Sequence, residues 1–145
     1  YWVSLAEKKN NTDETSLFRL VDANLNRLKE GIRVVEDICR FVYEFKNEAS
    51  KLKSIRHSAR TDYLLKALEH RDIIGDILKT TTVDEKRRDD IVSVVIANFK
   101  RAEESARALE ECLKLIDASE AERFKQIRYA LYDVEKSFFE KLPTA

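Results

Sequence analysis

The sequence predicts an all-α fold: an antiparallel four-helix bundle built from a duplicated helical hairpin, with a functional loop between the two hairpins. Three observations predict it. Gly is 2 and Pro is 1 among 145 residues, so the residues that punctuate strands and turns are almost absent. Apolar residues recur at helical spacing over long windows. The stretch 23–40, ANLNRLKEGIRVVEDICR, returns without a gap as 97–114, ANFKRAEESARALEECLK. Ala23, Asn24, Arg27, Glu30, Arg33 and Glu36 fall on Ala97, Asn98, Arg101, Glu104, Arg107 and Glu110; chance pairing gives about one such match. The other half of the unit follows, with Leu52-Lys-Ser-Ile-Arg56-His57 matching Phe124-Lys-Gln-Ile-Arg128-Tyr129. A long-period self-match marks a repeated supersecondary unit.

Residues Tyr1 to Thr15 are polar and without period, which predicts a loose N-terminal arm whose Trp2 docks on the body or on a partner. The first helix is expected from Ser16 to Phe45. On it Val21, Leu25, Leu28, Ile32, Val35, Cys39 and Val42 form one side of an apolar arc, and Leu20, Val34, Ile38 and Phe41 the other. Asn47 is an expected N-cap for a second helix, Glu48 to Glu69, with Leu52, Ile55, Ala59 and Tyr63 inward. His70 to Thr82, HRDIIGDILKTTT, breaks the period and predicts a loop with a short helical turn. Thr82-x-x-Glu85 has the form of a capping box for a third helix running to Ile116, with Ile91, Val95, Phe99, Ala102, Ala106, Leu109 and Leu113 inward. Asp117 is placed to cap a fourth, Ala118 to Lys141, with Phe124, Ile127, Leu131, Val134 and Phe138 inward, and Pro143 ends the domain. The domain is thus expected over 16–142. A bundle completed by dimerisation, a homodimer, is the second architecture the pattern allows.

Lys+Arg 27 balances Asp+Glu 27, which argues against general binding to nucleic acid or an anionic membrane. No run reaches the length of a membrane span and no signal peptide is visible. Cys39 and Cys112 fall on apolar arcs and read as reduced core residues, so a cytoplasmic protein is expected. The chain starts at Tyr1 and contains no Met, so the natural start is expected upstream.

The wheel places Asn24 and Arg27 within the first apolar arc, with Gly31 a turn beyond, and Asn98, Arg101 and Ser105 likewise in the second copy. Arg56 and Arg128 lie on the stripes of the second and fourth helices. Glu135 is the clear acid on a stripe, with Glu36 and Glu110 at arc edges, so buried arginines are expected to outnumber their partners. Arginine cannot shed its charge, and its fork matches phosphate oxygens. The cluster therefore predicts an anion site, with Gly31 and Ser105 leaving room. The alternative is a structural network of these arginines with Glu36, Glu110 and Glu135, or heads extended to solvent. Arg33 and Arg107 sit near the outer pole, and Arg33, flanked by Glu30 and Asp37, reads as a solvated ion pair. Asp72 and Asp76 are candidates for Mg2+ beside phosphates, and Lys79 with Thr80–Thr82 for a phosphate loop, although no Gly-x-x-x-x-Gly-Lys is present. His57 and His70 have no partners at zinc spacing.

Asp22 through Asp37 (DANLNRLKEGIRVVED) resembles the signature of a small helical domain of bacterial thiamin synthesis that often precedes thiamine-phosphate synthase in one chain. So do Ile55-Arg-His57, Arg71-Asp72 with Asp76, the 97–111 stretch and Phe124 through Tyr129. The resemblance covers roughly 17–141. It implies a monofunctional hydroxymethylpyrimidine phosphate kinase that transfers the γ-phosphoryl of ATP, with Mg2+, to 4-amino-5-hydroxymethyl-2-methylpyrimidine phosphate. On that reading Arg27, Arg101, Arg56 and Arg128 hold phosphates. Asn24, Asn98, Gly31, Ser105, His57 and Lys79 line the substrate, and Glu36, Glu110, Asp72 and Asp76 hold metal. Lys79-Thr80 departs from the family's usual Gly-Thr. No synthase domain follows, which predicts a stand-alone form or a domain excised from a fusion. The rival is a non-catalytic module that binds a thiamin precursor and regulates or docks the synthase.

Overall fold

The computed structural model describes residues 14–80 and 88–143, and all regular structure there is helical. Five helices follow one another: α1 Glu14–Phe41, α2 Lys46–Ser58, α3 Leu64–Glu69, α4 Ile91–Leu113 and α5 Ala118–Lys141. α1 packs on α2, α3 and α4, α4 packs on α5, and α5 returns to α2. The four long helices therefore close a ring within one chain. Its centre is one apolar cluster holding Leu28, Ile32, Leu52, Phe99, Leu109, Phe124, Leu131 and Phe138, each at most 1% exposed. Each such side chain contributes about 1.5–3 kcal/mol by leaving water. Cys39 and Cys112 are buried free thiols, and burial pushes Cys39 up to about 12, so it stays protonated and inert.

The helix ends show where local signals and tertiary contacts compete. α1 starts two residues before the expected Ser16 and stops at Phe41, before the expected Phe45. Glu44 takes a left-handed φ of 56°, and Phe45 N–H turns back to the Cys39 carbonyl at 2.8 Å. Val42, expected inward, is consequently exposed. Asn47 lies inside α2 and does not cap it; Phe45 is the N-cap, without a side-chain hydrogen bond, and its ring packs on Tyr43 and Phe138. α2 ends at Ser58, not Glu69. There the Thr61 hydroxyl and the Asp62 N–H both donate to the buried Glu120 of α5, at 3.1 and 2.9 Å. That tertiary acceptor breaks the helix and starts α3 as a separate piece.

Asp90 caps α4, accepting from Ser93 N–H at 2.7 Å. The expected capping box at Thr82–Glu85 and the arm at 1–13 lie outside the described residues. Ile91, expected inward, is the first helical residue and is 39% exposed; α4 ends at Leu113, three residues before Ile116. α5 matches its expected bounds, with Asp117 accepting from the N–H groups of Ser119 and Glu120. Between α3 and α4 the described chain is irregular, and Ile73, Ile74, Ile77 and Leu78 stand 69–93% exposed.

Gly31 sets the approach of α1 to α4. A Cβ there would lie 3.0 Å from the Asn98 carbonyl oxygen and 3.4 Å from Ala102 Cβ. The space over this glycine is filled by α4, so it does not leave room for an anion as the wheel suggested. Gly31→Val should cost about 1–3 kcal/mol through overpacking. Gly31→Ala should cost less, because helix propensity returns up to about 1 kcal/mol. Urea melts check this; equal stability of Gly31→Val and wild type would show that α4 can retreat.

Candidate functional site

Asn24 and Asn98 repeat each other in space as in sequence. Each side-chain amide donates to the carbonyl four residues earlier, Leu20 at 3.0 Å and Val94 at 2.8 Å. Asn24 is buried and Asn98 half-buried. They flank the α1–α4 contact, where Asn24, Arg27, Lys100, Arg101, Glu104 and Ser105 line a cleft of about 470 Å³. Ser105 is buried there. Arg27 and Arg101 are exposed, not within the apolar face. A wheel assigns direction at Cα, whereas a long arginine carries its head from the arc edge to water. Among the described residues neither has a hydrogen bond or an ion pair, whereas most other arginines of the chain do.

A larger cleft of about 780 Å³ shares Asn24 and Arg27 and adds Asp22, Arg71, Asp72 and Asp76. Arg71 grips the buried Asp22 through two 2.7 Å bonds, Nε to Oδ2 and Nη2 to Oδ1, and so pins the start of the loop to α1. Asp72 accepts from Gly75 N–H at 2.7 Å and lies 3.9 Å from Arg19. Asp76 accepts from Leu78 N–H at 3.0 Å. Both residues line the cleft that Arg27 borders. Lys79 is exposed on the same loop and does not line either cleft.

Arg56 and Arg128 are built differently. Arg56 holds Glu36 through Nε at 2.7 Å and Nη2 at 3.2 Å. Arg128 holds Glu110 through Nη2 at 2.9 Å and Nε at 3.2 Å. Arg33 joins Glu36 at 3.8 Å and Asp37 at 3.5 Å, and Arg107 joins Glu110 at 3.9 Å and Glu111 at 2.8 Å. The same Arg–Glu–Arg arrangement thus appears twice, at equivalent places of the repeat, and Arg33 is the exposed ion pair its flanks predict. Glu36 and Glu110 are committed to two cations each and do not fit a metal. Among the described residues no three His, Cys, Asp or Glu side chains converge as metal ligands. Of the four expected metal ligands that leaves Asp72 and Asp76, a pair that would leave most of a Mg2+ shell to water and phosphate.

The expected surplus of buried arginine is reversed. Asp22, Glu36, Glu48, Glu103, Glu110 and Glu120 are buried, and Arg128 alone among the described arginines is. Glu36, Glu48 and Glu110 face a cation on another helix, Asp22 faces Arg71 of the loop, and Glu103 and Glu120 pair with Lys100 and Arg123 of their own helices. Glu48 of α2 accepts from Lys141 at 2.6 Å and from Ser137 of α5, and these bonds hold its carboxyl below the usual range against the effect of burial. Glu103 differs. Lys100 approaches it at 3.2 Å and the neighbouring Glu135 at 3.4 Å, while Glu103 Oε2 is buried without a partner. Burial and the Glu135 carboxylate push Glu103 up to about 7, against the pull of Lys100. The signal was present: Glu103 stands four residues after Phe99 and three before Ala106, within reach of the buried arc. Lys100, also missed, links this acid pair to the α1–α4 cleft.

The molecule is a helical protein with a cleft in which Arg27, Lys100 and Arg101 outnumber Glu104, and a carboxylate-bearing loop beside it. Residues 19–137 match the model of the ThiD2 family, and the chain belongs to that family. It is 37% identical over 122 residues to a thiamine-phosphate synthase of Synechocystis sp., an alignment that covers 83% of this chain and 36% of that protein. It is 40% identical over 129 residues to the thiamine-phosphate synthase of a Synechococcus sp., covering 84% and 36%. With that of Rhodopirellula baltica it is 32% identical over 127 residues, covering 84% and 34%. These relatives tie the family to thiamin biosynthesis, and the chain spans about a third of their length. No solved structure matches it. Among the described residues no helix is long and apolar enough to cross a membrane.

Proposed function

We propose that this chain is the hydroxymethylpyrimidine phosphate kinase of thiamin synthesis, moving the γ-phosphoryl of ATP onto 4-amino-5-hydroxymethyl-2-methylpyrimidine phosphate to give the diphosphate. The observation that carries the reading is the pair Arg27 and Arg101, two guanidinium groups on facing helices that share one cleft with Glu104 yet are ion-paired to no acid. The acceptor is an ionised phosphate oxygen, so no strong general base is required. What the reaction needs is alignment and neutralisation of charge as it builds on the transferred group. Arg27, Arg101 and Lys100 supply fixed cations for that group. Asn24 and Ser105 offer polar edges for orientation. Mg2+ held at Asp72 and Asp76 would neutralise the polyphosphate from the loop side. Arg56 and Arg128, tied to their glutamates, position the helices and do not reach into this cleft. The same reading takes the ring as an antiparallel four-helix bundle made from one hairpin used twice, as the matched asparagine bonds and Arg–Glu–Arg groups support.

Incubation with ATP, Mg2+ and the pyrimidine monophosphate, followed by phosphorus NMR, tests the activity. Stoichiometric ADP and pyrimidine diphosphate support it. Binding without turnover would hand the chain to the rival, a precursor-binding module that serves thiamine-phosphate synthase. Arg101→Ala should reduce kcat/KM by about 100-fold, the scale of one lost transition-state donor. Its urea midpoint should stay within about 0.5 kcal/mol of wild type, because an exposed unpartnered side chain leaves nothing stranded. A large loss of stability with kinetics intact would make Arg101 structural.

A further inference from the structure

We infer that the groove between α1 and α2 is a second anion site, one that takes a compact phosphate monoester, and that it was built in the first copy of the repeat alone. Lys29, Glu30, Arg33, Arg56, His57 and Arg60 line this open groove of about 770 Å³. Arg33 and Arg56 are balanced by Glu36 and Asp37. Lys29, His57 and Arg60 are then surplus over Glu30, and among the described residues none of the three has an ion pair or hydrogen-bond partner for its side chain.

The second copy is an internal control. It keeps the same Arg–Glu–Arg group at the equivalent positions, yet those equivalent to Lys29, His57 and Arg60 hold Glu103, Tyr129 and Tyr132. The architecture therefore stands without the extra cations. There Arg128 is enclosed by the rings of Tyr129 and Tyr132, at 5.0 and 5.7 Å. Like charges gathered without partners oppose folding, so their presence in one copy calls for an anion.

The carbonyl end of α2 lies nearby and would repel an anion if left open. Three of its last four carbonyls are taken: Ile55 O accepts from the Ser58 hydroxyl, Arg56 O from Ala59 N–H, and Ser58 O from Arg60 N–H and Arg123 Nη2. Glu30 lines both this groove and the loop-side cleft, so the two sites adjoin along α1. A reaction between two phosphorylated substrates needs two anion seats. The assignment of the pyrimidine monophosphate to this one rests on the kinase reading; the groove's affinity for phosphate does not.

The chain has two histidines, His57 in the groove and His70 stacked on Phe18 at 6.0 Å, so the ring signals of one serve as reference for the other. Inorganic phosphate titrated into the full chain should shift the His57 ring signals saturably and leave His70 in place. Lys29→Ala and Arg60→Ala should each weaken that titration about tenfold with melting unchanged, and Arg101→Ala should leave it intact. A silent His57, equal shifts at both histidines, or wild-type affinity in both variants would overturn the site. Absence of turnover with phosphate still seated at His57 would sink the kinase reading and leave the groove standing. Turnover with His57 silent would do the reverse.

Discussion

Arg128→Ala should lower the stability of the protein by roughly 3–5 kcal/mol, the cost of stranding a buried charge. Glu110 keeps only 5% of its side-chain surface and Arg128 11%, so water cannot replace the lost guanidinium. Arg107, at 3.9 Å from Glu110, is half exposed and already bonded to Glu111 at 2.8 Å. The Tyr129 and Tyr132 rings would also lose the cation between them. Replacing both partners, Arg128→Met with Glu110→Leu, should recover most of the loss, because the pair's own net contribution is small once both charges are gone. Urea denaturation of the three forms decides it. A loss under about 1 kcal/mol for Arg128→Ala would mean the pair is screened and free to serve a ligand. Arg56→Ala should cost less, since Arg56 retains 19% of its surface.

Glu103→Gln should act in the opposite direction and only above acidic pH. The folded protein holds the Glu103 proton up to about pH 7, whereas an unfolded glutamate releases it near its usual 4.5. Between these values the folded state binds more protons than the unfolded one, so stability falls as pH rises. The penalty is absent below the unfolded value and complete above about 7, where it approaches roughly 3 kcal/mol. Glutamine removes the titration and keeps an uncharged group of the same size in that place. The variant should therefore gain up to that amount at pH 8 and almost nothing at pH 4. Urea midpoints of both proteins at the two values, with carboxyl carbon NMR of Glu103, measure it. A difference between the proteins that does not change with pH would show that Glu103 is ionised in the fold.

The helical class and the long helices α1, α4 and α5 were legible because they rest on periodicity and composition, which summed over many residues outweigh single exceptions. α5 was read to its ends because Asp117 both caps it and follows a turn. The break after Ser58 was not legible: Ala59 to Tyr63 carries no strong breaker, and its cause is Glu120, far along the chain. The site was half legible. The repeat singled out Asn24, Arg27, Asn98 and Arg101, and the structure brings Asn24, Arg27 and Arg101 to one cleft. Their depth was misjudged, since Cα direction says little about where a four-bond side chain ends. Gly31 was noticed for its size but needs it for the Asn98 carbonyl. Asp22, Lys100 and Glu103 escaped because a rim position becomes a contact only when the facing helix is known.

The aliphatic side chains that project from the loop after α3 have a colloidal consequence. Ile73, Ile74, Ile77 and Leu78 meet water almost without cover. The chain's positive and negative side chains cancel, with an isoelectric point of about 7.0. Two such molecules drifting together at neutral pH meet no long-range repulsion before these side chains touch. Solubility of the isolated chain is thus lowest where its chemistry would run, and it rises on either side of neutrality as like charge accumulates. Whatever shields that loop, whether ligand, neighbouring domain or a change of net charge, also determines how concentrated the protein can become before it sticks to itself.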